Sequence, residues 1–394
     1  MIIIKGKYNL AKIMLPDESF LDPVTRTQIQ NMVNHPALQG EPIVIMPDCH
    51  AGKGSVIGFT FKLNDYIIPN IVGVDIGCGM MSYKIGGKLL GRRLSEIDEL
   101  IHKHIPAGFS VNNYSNPRKV INVLAKKYLN RDDFSTKIED VNFLLKGDLN
   151  RFLQGIGSLG GGNHFIEIGI DENEDYWLTI HTGSRNFGKR VCEFYQAWAK
   201  DLLHSYFVDG YKDAEYIHKE DGGFDGYLAH MKVAQDYAHL NRLAILIRIL
   251  GFVFESGMDS IPFECVHNYI NFDDKIIRKG AISAYKDEDV IIPFNMEDGL
   301  IIGKGKGNKD WNYSAPHGAG RILSRSKAKE VLKLDDMKKG MEDAGIYTTC
   351  LNQNTLDESK GAYKDKEMIL SMIKETVDVI HFVKPIYNFK AGGD

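Results

Sequence analysis

Cysteine is scarce in this chain and never clustered. Five thiols (Cys49, Cys78, Cys192, Cys265 and Cys350) are spread over 394 residues, an odd number with no CxxC pair. That usage argues against a disulfide framework and for free thiols in a reducing, cytoplasmic compartment. Long hydrophobic runs are missing too. Spanning a bilayer takes about 18 consecutive apolar residues, and the nearest approach, Ala244 to Phe254, is interrupted by Arg248. The opening MIIIKGKYNLAKIML is broken by Lys5, Lys7 and Lys12 and does not read as a secretory leader. No large charge of either sign exists: 48 Lys+Arg against 52 Asp+Glu leave −4. No global basic field therefore advertises nucleic acid, although a local basic cleft can hide within that average. Repeats, Pro-rich linkers and low-complexity tracts are absent, so the expectation is one α+β domain over 1–394.

What is present is a mixture of periodicities. Short β-branched runs separated by glycine (Ile43 to Met46, Val56 to Leu63, Ile67 to Ile68, Ile71 to Ile76, Met80 to Ile85) read as buried strands. From Leu90 to Leu153 the spacing turns helical, as in Val120 to Leu129, with Asn130 to Asp140 expected as an exposed loop. Strands are expected again at Phe165 to Ile170, Trp177 to Ile180, Val290 to Ile292 and Leu300 to Ile302. Helices are expected over Lys189 to Tyr206, Leu228 to Phe254 and Asp365 to Val383, the last stopped by Pro385.

Histidines supply the strongest chemical signal. His50, His164, His181, His267 and His317 each follow an apolar run beside glycine, asparagine or another polar residue, at apparent strand ends. Loops at strand ends are where rigid scaffolds present reactive groups. Taken singly, each is as readily a satisfied core or surface histidine. Taken together with Asp75 and Cys78 in IVGVDIGCGM, they offer carboxylate, thiolate and imidazole donors suited to a borderline divalent ion. No compact signature such as HExxH accompanies them.

Two glycine-lysine stretches, AGKGS at 51–55 and GKGKGN at 303–308, lack the order of a Walker A loop and read equally as surface turns. In HGAGRILSR, from His317, Arg321 and Arg325 are four apart. On a helix they would share one face, suited either to phosphate or to solvent.

The ordered segments MPDCHAGKGSVIGFT, GVDIGCGM, GSLGGGNHFIEI, HTGSRNFG, AHLNR, VHNY, RKGA, KGKGN, HGAGR with LSR, LDESKGAYK and KPIYNFKA resemble the RtcB family of GTP-dependent RNA ligases. They run from about residue 43 to 391, nearly the whole chain. The resemblance implies one large α+β domain with a central metal and nucleotide cleft. It implies two Mn²⁺ ions on Asp75, Cys78, His164, His181 and His267, with the Cys78 thiolate shared, and His317 as the residue that becomes guanylylated by GTP. Asn163, Phe165, Glu167, Tyr363, Lys390 and the Gly318, Ala319, Gly320 turn match nucleotide-contacting positions, and Arg185, Arg321 and Arg325 match RNA-phosphate positions. A carboxylate such as Glu167 accepts two hydrogen bonds from guanine, which adenine cannot offer.

The implied reaction joins a 2′,3′-cyclic phosphate or 3′-phosphate end to a 5′-hydroxyl end of a broken tRNA, mRNA or rRNA. A monomer is expected rather than an obligate oligomer, and accessory proteins are compatible with the sequence. The chain departs from the family at FNMEDGL, where Asn295 and Leu300 replace two nucleotide-contacting serines, and at Pro316, so it reads as a divergent branch. Two alternatives stay open, a metal-dependent hydrolase of RNA phosphate ends and a non-ligating RNA- or ribosome-binding relative.

Overall fold

Two large sheets organise the chain, and the candidate residues gather where they meet. The computed structural model describes residues 1–86, 89 and 91–391; position 90, where the helical region was expected to begin, and the last three positions of the expected domain lie outside them.

One sheet has seven strands in the order Phe263–Val266, Gly79–Gly86, Tyr176–Thr182, Phe165–Ile170, Val377–Phe389, Gly299–Gly305, Asp289–Asn295, every neighbouring pair antiparallel. The other has six, in the order Ile2–Lys5, Leu10–Ile13, Ile43–His50, Ile57–Lys62, Ile276–Lys279, Asn268–Ile270. The mixture of segregated helices and largely antiparallel sheets makes the fold α+β, as expected. His267 is the single residue between Phe263–Val266 in one sheet and Asn268–Ile270 in the other, so the chain changes sheets there.

Helices cover the sheets through spaced apolar faces. In Arg185–Ser205, Val191, Tyr195, Ala199 and Leu203 recur every four residues and are buried. The 30-residue Gly223–Phe252 helix packs against it and against Tyr176–Thr182, and its middle is buried on all sides. Within that apolar middle, Asn241 and Arg242 are fully buried. Among the described residues, no helix is long and apolar enough to cross a membrane. All five cysteines are free and buried.

Three sequence expectations fail for identifiable reasons. Ile71 to Ile76 is not a strand: Pro69 starts the short Pro69–Val72 helix, and Gly73 and Gly77, at φ 103° and 76°, then turn the chain. Asn130 to Asp140 is not all loop, because the Phe134–Leu145 helix begins there and buries Phe134, Ile138, Val141 and Leu145. The terminal helix stops at Met372, and Val377–Phe389 is a 13-residue strand. Its β-branched run VDVIHFV pairs with Gly299–Gly305 and the following residues, from Lys384 on, pair with Phe165–Ile170, and that pairing outweighs helical spacing. Pro385 is tolerated because it lies beyond the last pair with Gly299–Gly305, Leu300 with Val383, and at a register shift against Phe165–Ile170.

Candidate active site

Strand ends and tight turns deliver the candidate side chains. Asp75 and Cys78 sit in the turn after Pro69–Val72, closed by a bond from Cys78 N to the Asp75 carbonyl at 3.1 Å. His181, in Tyr176–Thr182, pairs with Met80 on one side and Phe165 on the other, which brings it beside Cys78 and His164. Cys78 Sγ lies 3.5 Å from His164 Nε2 and 3.4 Å from His181 Nε2. His181 Nε2 lies 3.3 Å from His267 Nε2, and His164 Nε2 lies 3.1 Å from Asp75 Oδ2. Two donor groups result, Cys78 with His181 and His267, and Asp75 with Cys78 and His164, each with its ligand atoms within 4.8 Å of one another. Cys78 belongs to both.

These contacts test whether metal fits. His164 Nδ1 meets the Leu159 carbonyl at 2.9 Å, which places its hydrogen there and leaves a lone pair on Nε2. That lone pair faces a carboxylate and a sulfur, an arrangement repulsive by itself and attractive around a divalent cation. Burial holds His181 and His267 well below the usual imidazole range, so both present neutral nitrogens. Burial, with the Asp75 charge beside it, pushes the Cys78 thiol well up, so its thiolate is favoured only with a cation bound. Asp75 Oδ1 accepts from Ser184 N at 3.1 Å, which holds the carboxylate in the turn. Gly183 permits the close approach: a Cβ there would lie 2.3 Å from Asp75 Oδ2.

Supporting groups hold the turns. Arg242 Nη1 donates to the carbonyls of Gly77 and Thr182, each at 2.8 Å, tying the Cys78 turn to the end of the His181 strand. Its Nε donates to Glu264 at 3.0 Å, and although burial works against ionisation of Glu264, the Arg242 charge brings that carboxyl down to about 2. Asn241 accepts from Gly157 N at 2.8 Å and donates to the Gly183 carbonyl at 3.0 Å.

His317 shares a cavity of about 390 Å³ with Cys78, His181 and His267. Its ring centroid is 4.8 Å from that of His267. Asp48, fully buried at the end of Ile43–His50, accepts from His317 Nδ1 at 2.6 Å and from His317 N at 3.2 Å. The Nδ1 hydrogen is thereby fixed, and Nε2 keeps the free lone pair. Gly320, at φ 74°, lets this segment pass over Asp48, where a Cβ would sit 2.0 Å from the Asp48 carbonyl oxygen.

Asn163, Phe165, Glu167, Asn295, Gly318, Ala319, Gly320, Tyr363 and Lys390 line the same cavity. Glu167 is buried with Oε1 unpartnered, and burial raises its carboxyl to about 8. Lys390 Nζ lies 5.4 Å from the centre of the Phe165 ring and donates to the Asn163 carbonyl at 3.3 Å. Asn295 is engaged in its own turn, accepting from Glu297 N at 2.9 Å and Asp298 N at 3.0 Å and donating to Asp298 at 2.7 Å. Leu300 is buried in the core.

The matching segment of the family profile is long. A family model described as tRNA-splicing ligase RtcB matches residues 28–391. The chain belongs to the RtcB family. It is 30% identical over 385 residues to the RNA-splicing ligase RtcB of Escherichia coli K12, with 92% of each chain covered. It is 31% identical over 385 residues to RNA-splicing ligase RtcB1 of Escherichia coli ATCC 25922, again with 92% of each covered. The tRNA-splicing ligase RtcB of Nanoarchaeum equitans is 26% identical over 438 residues, with 93% of this chain and 90% of that one covered.

The three arginines singled out by RtcB resemblance separate in space. Arg321 and Arg325 line the His317 cavity, but not from one helical face: the Arg325–Val331 helix starts at Arg325, and Arg321 precedes it, bridged to Tyr363. Arg185 and His164 line a second cavity, of about 710 Å³, which shares Asp75 and Arg325 with the first. Arg185 stands at φ 58°, a left-handed conformation unusual for arginine, and donates to Ser158 Oγ at 3.1 Å and the Gly108 carbonyl at 2.7 Å. Sequence reading gave no role to Asp48, Asn241 and Arg242, although each carried a signal: a carboxylate near the end of a buried strand, and two polar residues in an apolar helix.

Proposed function

We propose that this chain is an RNA ligase that joins 2′,3′-cyclic phosphate or 3′-phosphate ends to 5′-hydroxyl ends through guanylylated His317, using GTP and two Mn²⁺ ions. The observation that carries the proposal is the Asp48–His317 pair, which presents an imidazole lone pair in the cavity that also holds Cys78, His181 and His267.

Asp75, Cys78, His164, His181 and His267 would hold the ions, which when bound offset charge on the triphosphate and polarise its phosphorus. Asp48 keeps the proton on Nδ1 of His317 and steadies the positive charge that the ring gains as Nε2 attacks the α-phosphorus. A phosphorus–nitrogen bond forms as the bond to pyrophosphate breaks. The RNA 3′-phosphate next displaces the imidazole and takes GMP, and the 5′-hydroxyl then displaces GMP to seal the strand. Glu167, once ionised, accepts the paired donors of guanine, and Lys390 and Tyr363 flank the nucleotide. Arg185, Arg321 and Arg325 meet RNA phosphates, with tRNA, mRNA and rRNA ends all chemically suitable. Five free thiols support a reducing, cytoplasmic setting.

A hydrolase reading gives the Asp48–His317 pair no task. The non-ligating reading gains support only from Asn295 and Leu300, which offer little to a nucleotide. Incubation with Mn²⁺ and GTP labelled at the α-phosphate distinguishes these readings. The ligase labels the protein and His317→Ala does not; an unlabelled wild-type chain overturns the proposal, and RNA-end hydrolysis that survives His317→Ala favours the hydrolase.

A further inference from the structure

Glu358 has no role in the functional reading, yet its two oxygens touch residues from both substrate sides of it. The carboxylate lies in the cavity wall and is 5% exposed. Oε1 accepts from Arg325 Nη1 at 2.8 Å and Arg321 Nη1 at 3.3 Å, the guanidiniums assigned to RNA. Oε2 accepts from the Tyr363 hydroxyl at 2.7 Å and Lys390 Nζ at 3.4 Å, the groups assigned to the nucleotide.

Asp357, the preceding residue, behaves differently. Its carboxylate meets Arg325 Nη1 at 2.7 Å and Lys329 Nζ at 3.6 Å, and it lines the second cavity instead of the first. Adjacent carboxylates thus face different cavities and share Arg325. The cations Arg321, Arg325, Lys329 and Lys390 outnumber Asp357 and Glu358, so the cluster keeps positive charge for phosphate while its members are held in fixed directions. Donors fixed before the substrate arrives do not lose rotamer freedom on binding it.

We propose that Glu358 is a positioning residue that orients the nucleotide-side and RNA-side groups together, one carboxylate oxygen for each; this rests on the functional reading above. Burial works against ionisation of Glu358, but Lys390, Arg325 and Arg321 bring it down to about 2, so it stays charged at neutral pH. Without that charge, Arg325 and Lys390 lose a common anchor, and both half-sites loosen at once. Each cation keeps one other tie, Arg325 to the Asp357 carboxylate, Lys390 to the Asn163 carbonyl and Arg321 to the Asp357 carbonyl at 2.5 Å, so the groups lose their common direction rather than all support.

The test compares Glu358→Gln with Asp357→Asn in the full chain with Mn²⁺, after checking that each melts near the wild-type temperature. Equilibrium binding of a fluorescent GTP analogue and of a 3′-phosphorylated oligoribonucleotide is measured separately. Glu358→Gln weakens both by about tenfold, the scale of one charge-assisted hydrogen bond lost per ligand. Asp357→Asn weakens only the oligonucleotide. If Glu358→Gln fails to fold, Glu358→Asp, which withdraws the charge by one methylene, shows the same joint weakening to a smaller degree. A folded Glu358 variant that weakens one ligand or neither overturns the proposal while leaving the ligase reading intact. A wild-type chain that binds neither ligand overturns both.

Discussion

Replacing Asp48 by asparagine is the sharpest probe of how His317 is held. One oxygen of Asp48 takes both the Nδ1 and the backbone N–H of His317, and the other is buried without a partner. An asparagine has two ways to occupy this space. With its carbonyl toward His317 both bonds survive without their charge, and the amide nitrogen is buried at the unpartnered position, at a cost of about 1–3 kcal/mol. With its amide toward His317 the backbone N–H loses its acceptor, the hydrogen moves to Nε2, and the attacking lone pair is gone. Loss of a charged hydrogen bond is worth about 1.5–3 kcal/mol, a factor of about 10 to 150. Inversion of the tautomer multiplies that, as in other imidazole–carboxylate pairs where the same change costs about 10⁴. The expected fall in the rate of labelling from α-phosphate-labelled GTP is therefore about 10²- to 10⁴-fold, with metal content unchanged. A variant that labels within about threefold of wild type would refute the orienting role.

Three further outcomes follow from the same geometry. Glu167 keeps its proton up to about pH 8 when folded and releases it near the ordinary carboxylate value when unfolded, so its contribution to stability is full at low pH and lost as pH rises through that window. Glu167→Gln should flatten urea-measured stability across it by a few kcal/mol. GTP affinity should rise with pH up to about 8 in wild type only; parallel curves for the two proteins contradict this. Cys78→Ala removes a member common to both donor groups, so bound Mn²⁺ measured by mass spectrometry should fall from two per chain toward none. Retention of both ions would show that the sulfur is not shared. Arg242→Ala leaves Glu264 with His239 as its remaining partner and takes the Arg242 donor from the Gly77 and Thr182 carbonyls, and chemical denaturation should show about 2–5 kcal/mol lost; a loss below about 1 kcal/mol is incompatible with the tie described.

Much of this was legible in the residue order. Residue spacing located the strand Phe165–Ile170 and the start of Ile43–His50, which it ended at Met46. It also singled out Cys78, His181, His267 and His317, which the fold brings to one cavity. What stayed hidden were properties that exist only after chain segments meet. Val377–Phe389 reads as a continued helix until its two flanking strands are present to pair with it. Asp48 is an unremarkable acid until His317 arrives from the far end of the chain. Glu358 shares LDESKGAYK with one partner, Tyr363, but its other three come from two distant stretches.

The placement of His267 at the joint between the sheets has a bearing on biogenesis. A nascent polypeptide can begin folding its N-terminal strands early, but the imidazole that unites them with the other layer emerges from the ribosome long after Asp75 and Cys78. The thiol therefore waits in an unfinished pocket until His267, and later His317 and Lys390, have followed it out.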